Sequence, residues 1–132
     1  MEMYEVGIVK EFENGSVNFL EGTESIDRFA WKDHPKFNGV SLKAIITGND
    51  TNSQISCHLV RIQPGCEIGN HIHEGRMELH EVIAGDGVCI MKEKEIPYNP
   101  GIIAVIPPDI THRVTAGTNG VFILAKFLPA LE

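Results

Sequence analysis

The chain has few cysteines, few aromatic residues and no long apolar segment for its length of 132 residues. Its three cysteines, Cys57, Cys66 and Cys89, are odd in number and widely spaced, and no Cys-x-x-Cys pair occurs. A disulfide framework or a cysteine zinc site is therefore not expected, and reduced thiols indicate a cytoplasmic protein. The main apolar runs, at 102–106 and 121–125, are far shorter than the roughly 20 residues of a membrane-spanning helix.

Basic residues are also scarce. Eleven Lys and Arg stand against 18 Asp and Glu, which gives a formal net charge of -7. Because an acidic surface repels phosphate groups, we expect no nucleic-acid partner and no binding to an anionic membrane. Residues 1–5 do not combine a basic segment with an apolar one, so no secretory signal is predicted.

What remains is the composition of an ordinary globular protein, with 42% hydrophobic and 22% charged residues. The length suits one domain. Thirteen Gly and seven Pro separate short apolar runs, a pattern typical of many strands and few helices, so the fold class predicted is all-β. The predicted strands lie at 40–47, 55–62, 79–84, 88–91, 102–106 and 121–128.

The connections follow from the same punctuation. The six polar residues at 48–53 predict a loop, and Gly85-Asp86-Gly87 predicts a tight turn. In the first forty residues, 6–12 and 16–20 can pair as a hairpin across Asn14-Gly15. One short helical turn is expected within 23–31, where apolar residues have helical spacing.

Four possible metal ligands are spaced so that they can meet. His71 and His73 are two residues apart, which places both on one face of a strand with Cα atoms about 6.6 Å apart. Glu78 follows a loop through Gly75 that can reset the register, and His112 lies on a later strand. Neutral imidazoles bind transition metals well, and a nearby carboxylate favours a divalent cation.

These residues belong to a longer pattern. Gly65, His71, His73, Glu78 and Gly85 resemble the first motif of the cupin superfamily, G-x5-H-x-H-x4-E-x6-G, at every fixed position and every gap.

The second cupin motif, G-x5-P-x-G-x2-H-x3-N, is matched in spacing by Gly101, Pro107 and His112. Asp109 stands where that pattern has its second Gly, and Ala116 where it has Asn. Because Asp tolerates left-handed turn geometry better than most residues, we expect the turn to survive.

The resemblance implies a small jelly-roll β-barrel made of a single cupin domain over 1–132. Within it, 1–39 would form an N-terminal arm with strands, and 40–132 the barrel that carries both motifs. It also implies one divalent transition metal per chain, Fe, Mn, Ni, Co or Zn, with coordination positions left open. The ligands would be His71, His73, Glu78 and His112.

Cupins also imply a homodimer. The arm would pack on the partner's barrel or extend its sheet, with Phe12, Phe19 and Trp31 as anchors. Alternatively, it would fold over its own barrel as a lid and leave a monomer.

The function predicted is that of a metalloenzyme acting on a small polar or anionic metabolite, since cupin dioxygenases, isomerases and lyases are what the resemblance implies. A non-catalytic module that binds a small molecule or a metal is the alternative, and a purely structural barrel is the third. His80, two residues after Glu78, shares its face of the strand and is the candidate catalytic residue. It can equally be a partner of a metal ligand or a core histidine.

Overall fold

The computed structural model describes residues 6–132, so residues 1–5 of the predicted arm lie outside the described part. The elements are α1 (Val6–Glu13), β1 (Ser16–Phe19), β2 (Gly22–Ser25), a 3-10 turn (Ile26–Arg28), β3 (Lys32–Asp33), β4 (Val40–Ile46), α2 (Gly48–Thr51), β5 (Ser56–Ile62), β6 (Glu67–His71), β7 (Met77–Met91), β8 (Lys94–Tyr98), β9 (Ile103–Ile106) and β10 (His112–Leu128). Strands dominate, and the all-β jelly-roll prediction is confirmed. None of the described helices is long and apolar enough to cross a bilayer.

Two long strands, β7 and β10, join the two layers of the barrel. Residues 77–85 of β7 pair with residues 121–128 of β10. In this first layer the strand order is β9-β7-β10-β5-β4-β3. The other halves of the two long strands, 87–91 and 112–116, pair with each other between β8 and β6 in the second layer. A residue on one long strand can therefore face residues of the opposite layer across the barrel.

The predicted turn at Gly85-Asp86-Gly87 is wrong, because β7 continues through these residues. Gly85 has φ of +86°, and its Cα packs so closely on β10 that an added Cβ would overlap the carbonyl oxygen of Gly120. The glycines bend the strand from one layer to the other instead of reversing it. The register of β10 shifts opposite this bend, between Ala116 and Val121.

The interior of the barrel is filled by residues that alternate along each strand. In β7 the burial alternates from Glu78 to Ala84, so that polar Glu78 and His80 face inward together with Val82. The main core cluster includes Val114, Val121 and Ile123 of β10. Burying such side chains contributes about 1.5–3 kcal/mol each.

The predicted strand at 6–12 is wrong, since these residues begin α1. Val9 and Phe12 are three residues apart and point to one face, where Phe12 lies 5.9 Å from the ring of Phe122 in β10. Asn14 donates its N–H to the carbonyl of Lys10 and so belongs to the end of the helix rather than to a hairpin turn. The hairpin forms one segment later, between β1 and β2.

Two other local predictions have different outcomes. The short helical turn expected within 23–31 is confirmed by the 3-10 turn at Ile26–Arg28. The polar segment 48–53 contains the one-turn helix α2, because Asp50 accepts the backbone N–H of Thr47 in a capping box.

The arm covers the outside of its own barrel. The indole of Trp31 lies 6.3 Å from the ring of Phe122, and the guanidinium of Arg61 stacks on the indole at 4.0 Å. Phe12 and Phe19 pack against the same outer cluster. The three residues predicted as dimer anchors are therefore engaged within the chain, as in the alternative in which the arm folds back.

Candidate metal centre

The structure brings the four predicted ligands together. His71 ends β6, His73 follows it, Glu78 lies in the first half of β7 and His112 begins β10. One ligand atom from each residue lies within 4.8 Å of the others. His71 and His112 are direct cross-strand partners with ring centroids 4.1 Å apart, which explains how residues so distant in sequence become neighbours.

Backbone carbonyls orient two of the imidazoles. His71 Nδ1 lies 2.7 Å from the carbonyl oxygen of Gly69, and His112 Nδ1 lies 2.9 Å from that of Ile110. A carbonyl only accepts hydrogen bonds, so both Nδ1 atoms carry the proton and donate it. In the neutral ring, the Nε2 lone pair is then the one directed at the cluster, which is the arrangement that metal-ligating histidines use.

The loop that carries His73 is tied to the second motif. Asp109 adopts φ of +65°, so the turn survives with Asp in the place of Gly, as expected. Its backbone N–H donates to the carbonyl of His73, and its Oδ1 accepts the N–H of Gly75. The His73 ring also packs edge-on against Phe127 at 4.9 Å.

Glu78 is the anionic centre of the cluster. Its Oε1 lies 3.1 Å from His112 Nε2 and 3.5 Å from His73 Nε2, while its Oε2 lies 2.7 Å from His80 Nε2. Burial alone would raise the pKa of this carboxyl, but the surrounding imidazoles of His80, His112 and His73 hold it well below its ordinary value. The carboxylate is therefore ionised across the physiological range.

The three imidazoles of the predicted ligands differ in their proton affinity. Burial lowers the pKa of His71 to about 4 and also lowers that of His73. Burial pushes the pKa of His112 in the same direction, but its hydrogen bond to Glu78 outweighs this and raises it. Two of the rings are thus held neutral, and the third can share a proton with the carboxylate.

His80 lies behind Glu78 in a buried hydrogen-bonded chain. Because the carboxylate only accepts, a neutral His80 donates from Nε2 to Glu78 and accepts at Nδ1 from the hydroxyl of Tyr98, 2.7 Å away. Tyr98 is fully buried and also contacts the thiol of Cys89. Burial raises the pKa values of both the tyrosine and the cysteine, so both stay protonated. This hydrogen-bonded chain engages Oε2 of Glu78 and leaves Oε1 directed at the cluster.

Sequence reasoning missed two residues that face this region. Tyr98 ends β8 and completes the hydrogen-bonded chain to His80. Its only signal in the sequence is that it follows Ile96 by two residues, which places both on the same face of a strand. His34, in a loop before Pro35, lines the pocket beside the cluster. No pattern in the sequence distinguishes it from a solvated loop histidine.

Comparison with known proteins settles the family. The family model for the cupin domain matches residues 58–125, which is more than half of the chain and includes all four residues of the cluster. This chain is a cupin.

Its relatives are distant. An oxalate-binding protein of Thermotoga maritima is 27% identical over 71 residues, which are 52% of this cupin and 59% of the relative. The match thus spans about three-fifths of the length of that protein.

Solved structures show the same fold. An RmlC-like cupin from Shewanella frigidimarina superposes with a TM-score of 0.71 at 16% identity, covering 89% of this chain and 96% of the other. A predicted oxalate decarboxylase from Thermotoga maritima superposes with a TM-score of 0.70 at 19% identity, covering 79% and 96%.

The residues of this cupin fit a divalent transition metal. Three imidazole nitrogens and one carboxylate oxygen converge, two of the rings are oriented through Nδ1, and burial keeps His71 and His73 neutral. This donor set suits Fe, Mn, Ni, Co or Zn and leaves positions of an octahedral ion open. A closed structural zinc site usually includes two or more thiolates, and none of the four residues of this cluster is a cysteine.

Proposed function

We propose that this cupin binds one divalent transition metal through His71, His73, Glu78 and His112 and acts on a small anionic metabolite held at that metal. The observation that carries the proposal is the convergence of one ligand atom from each of these residues within 4.8 Å. When bound, the metal supplies a Lewis acid that polarises an oxygen of the ligand.

The other residues around the cluster have separate tasks in this proposal. His80 engages Oε2 of Glu78 and so leaves Oε1 as the oxygen that would bind the metal. His80 is also the candidate for moving a proton, because it connects Glu78 to the hydroxyl of Tyr98. Ile68, Ile123 and Phe127 surround the pocket with apolar side chains, which limits water around a bound ligand.

Metal content tests the first half of the proposal. Purified protein should hold about one divalent ion per chain, and His73→Ala should lose most of it, because one of four ligands is removed. His58→Ala is the matched control, since His58 is a buried histidine that packs on Phe127 as His73 does but is not one of the four cluster residues. Wild-type metal content in a folded His71→Ala/His73→Ala double variant would overturn the site.

Turnover tests the second half. The metal-loaded protein is incubated with small carboxylic acids, in air and anaerobically, while oxygen uptake and substrate loss are followed. Consumption that disappears in His73→Ala supports the metalloenzyme. Binding of the acids without turnover favours the alternative of a non-catalytic binding module, for which the name of the oxalate-binding relative is the specific argument.

We also propose that the protein is a homodimer and that it is cytoplasmic. Because the arm covers its own barrel, the dimer interface would lie elsewhere. Strand β9 pairs only with β7 among the described residues, and its outward side chains Ile103 and Val105 are exposed, so this edge is the region we propose for self-association.

A further inference from the structure

Two adjoining chambers of unequal size lie beside the four residues of the candidate metal site. The inner chamber, about 90 Å³, lies against His71, His73 and Glu78. The outer chamber, about 500 Å³, lies between β4, the segment 29–35 and the residues that follow β10. Three residues line both chambers and form the passage between them: His34, Leu42 and Leu131.

The sizes limit what each chamber can hold. At about 30 Å³ per water molecule in the liquid, the inner chamber has room for about three small heavy atoms, which is the size of a carboxylate group. The outer chamber lies within the range of roughly 300–1,000 Å³ that is common for small-molecule sites. A two-carbon acid would occupy only the inner chamber and leave the larger one to water.

His34, which lines the passage, carries one hydrogen-bond donor that its own loop does not use. Its Nδ1 accepts the backbone N–H groups of Lys36 and Phe37, at 3.0 and 3.3 Å. A ring nitrogen that accepts carries no proton, so the neutral imidazole has its proton on Nε2. The ring packs against Phe37, with centroids 4.8 Å apart, and Phe37 in turn lies 6.4 Å from the ring of His71. This packing holds the imidazole in the passage, next to the pocket that the ligand residues line.

The outer chamber is amphipathic rather than polar. Half of its lining is apolar, namely Phe29, Ala30, Pro35, Leu42, Ala44 and Leu131. Its one fully buried polar side chain, His58, is already paired with the hydroxyl of Ser56 at 3.0 Å. Ala44 is the small residue in the middle of β4, so a larger side chain there would occupy the chamber without touching the cluster.

We propose that the two chambers together bind a monocarboxylic acid with an apolar body. The carboxylate occupies the inner chamber, at the metal and beside the Nε2–H of His34, and the body fills the outer chamber. This inference rests on the proposed function, because the metal holds the head group. It goes beyond that function in naming the size and polarity of the ligand.

Calorimetric titration of the metal-loaded protein with 3-phenylpropionate and acetate tests the inference, because the two acids share a head group and differ in the body. The phenyl-bearing acid should bind at least about ten-fold more tightly, from the apolar area that it buries. Ala44→Phe should remove this advantage and leave acetate binding unchanged. His34→Phe should weaken both acids by about five-fold or more at unchanged metal content, as expected for one lost hydrogen bond to a charged group.

The metal content of the same samples separates the two proposals. If metal is bound and the two acids bind equally, or neither binds, the ligand class is wrong while the metal site stands. The same conclusion follows if Ala44→Phe retains metal and acetate binding together with the full advantage of 3-phenylpropionate. If no metal is bound by the wild-type protein, the proposed function fails and the ligand assignment fails with it.

Discussion

Replacing His80 with phenylalanine tests whether the buried chain behind Glu78 sets the metal affinity. The substitution keeps a ring of similar size in the core but removes the Nε2 donor, which lies 2.7 Å from Oε2 of Glu78. Partners that orient a metal ligand typically contribute ten-fold to 100-fold in affinity. We therefore expect the dissociation constant of the metal to rise by about 10–100-fold, or about 1.4–2.7 kcal/mol.

The metal-free protein should also lose stability. A hydrogen bond to a charged group contributes about 1.5–3 kcal/mol, so the free energy of unfolding should fall by about that amount. Tyr98→Phe is the graded control, because it keeps the contact between His80 and Glu78 but leaves His80 Nδ1 without its 2.7 Å partner. It should cost about 1–3 kcal/mol of stability and weaken metal binding less than His80→Phe.

The two quantities are measured separately, by metal titration against a competing chelator and by urea unfolding of the metal-free protein. His80→Gln provides a rescue, since its amide can still donate to Glu78, and it should restore part of the affinity. A folded His80→Phe variant with the wild-type dissociation constant would refute the reasoning. His80 would then be only a core residue of the barrel.

Three further predictions concern the bend of β7 at Gly85, the pH dependence of metal binding and the oligomeric state. Gly85→Ala should destabilise the protein by about 2–5 kcal/mol in urea unfolding, since it adds overlap with β10 to the cost of a positive φ. Gly101→Ala, also at positive φ but with open space around it, should cost only about 1–2 kcal/mol, and equal effects would contradict the overlap argument. Because the pKa of His71 is lowered to about 4 and that of His112 is raised, His112 should release one proton when the metal binds. Metal affinity should therefore fall about ten-fold per pH unit once the pH is below the pKa of His112. A slope of three protons over the same range in a chelator-buffered titration would count against these directions. Light scattering at micromolar concentration should give twice the chain mass of 14.6 kDa, and a mass near 15 kDa ends the dimer proposal.

The sequence predicts the cluster well because its geometry is largely local. Glu78 and His80 share a face by the two-residue period of β7. The expectation that His71 and His73 lie on one strand is met only in part, because β6 ends at His71 and His73 lies in the loop that follows, although their ring centroids are 4.8 Å apart. Only His112 needs long-range information, which the spacing of the second motif supplied. The registers that join these segments, such as the pairing of His112 with His71, follow from the fold and not from any single segment.

The errors at the N-terminus and in β7 have a common cause, which is that short signals have more than one structural meaning. Asn14-Gly15 is as suitable at the end of a helix as in a hairpin turn. The helix forms here because it lets Val9 and Phe12 pack together against the outer cluster. A glycine at positive φ permits a turn or a close strand contact, and at Gly85 the approach of β10 selected the contact. In both places packing against another strand overrode the local preference.

The residues that surround the cluster could not be predicted for a related reason. Tyr98 reaches His80 only because β8 lies beside the second half of β7, while His80 lies in the first half, across the bend at Gly85. His34 reaches the pocket through a loop whose backbone fixes the imidazole. The ligands and His80 are therefore found by periodicity and spacing, whereas Tyr98 depends on the bend between the layers and His34 on the conformation of a loop. Variants at that bend should accordingly alter metal affinity even though no ligand is changed.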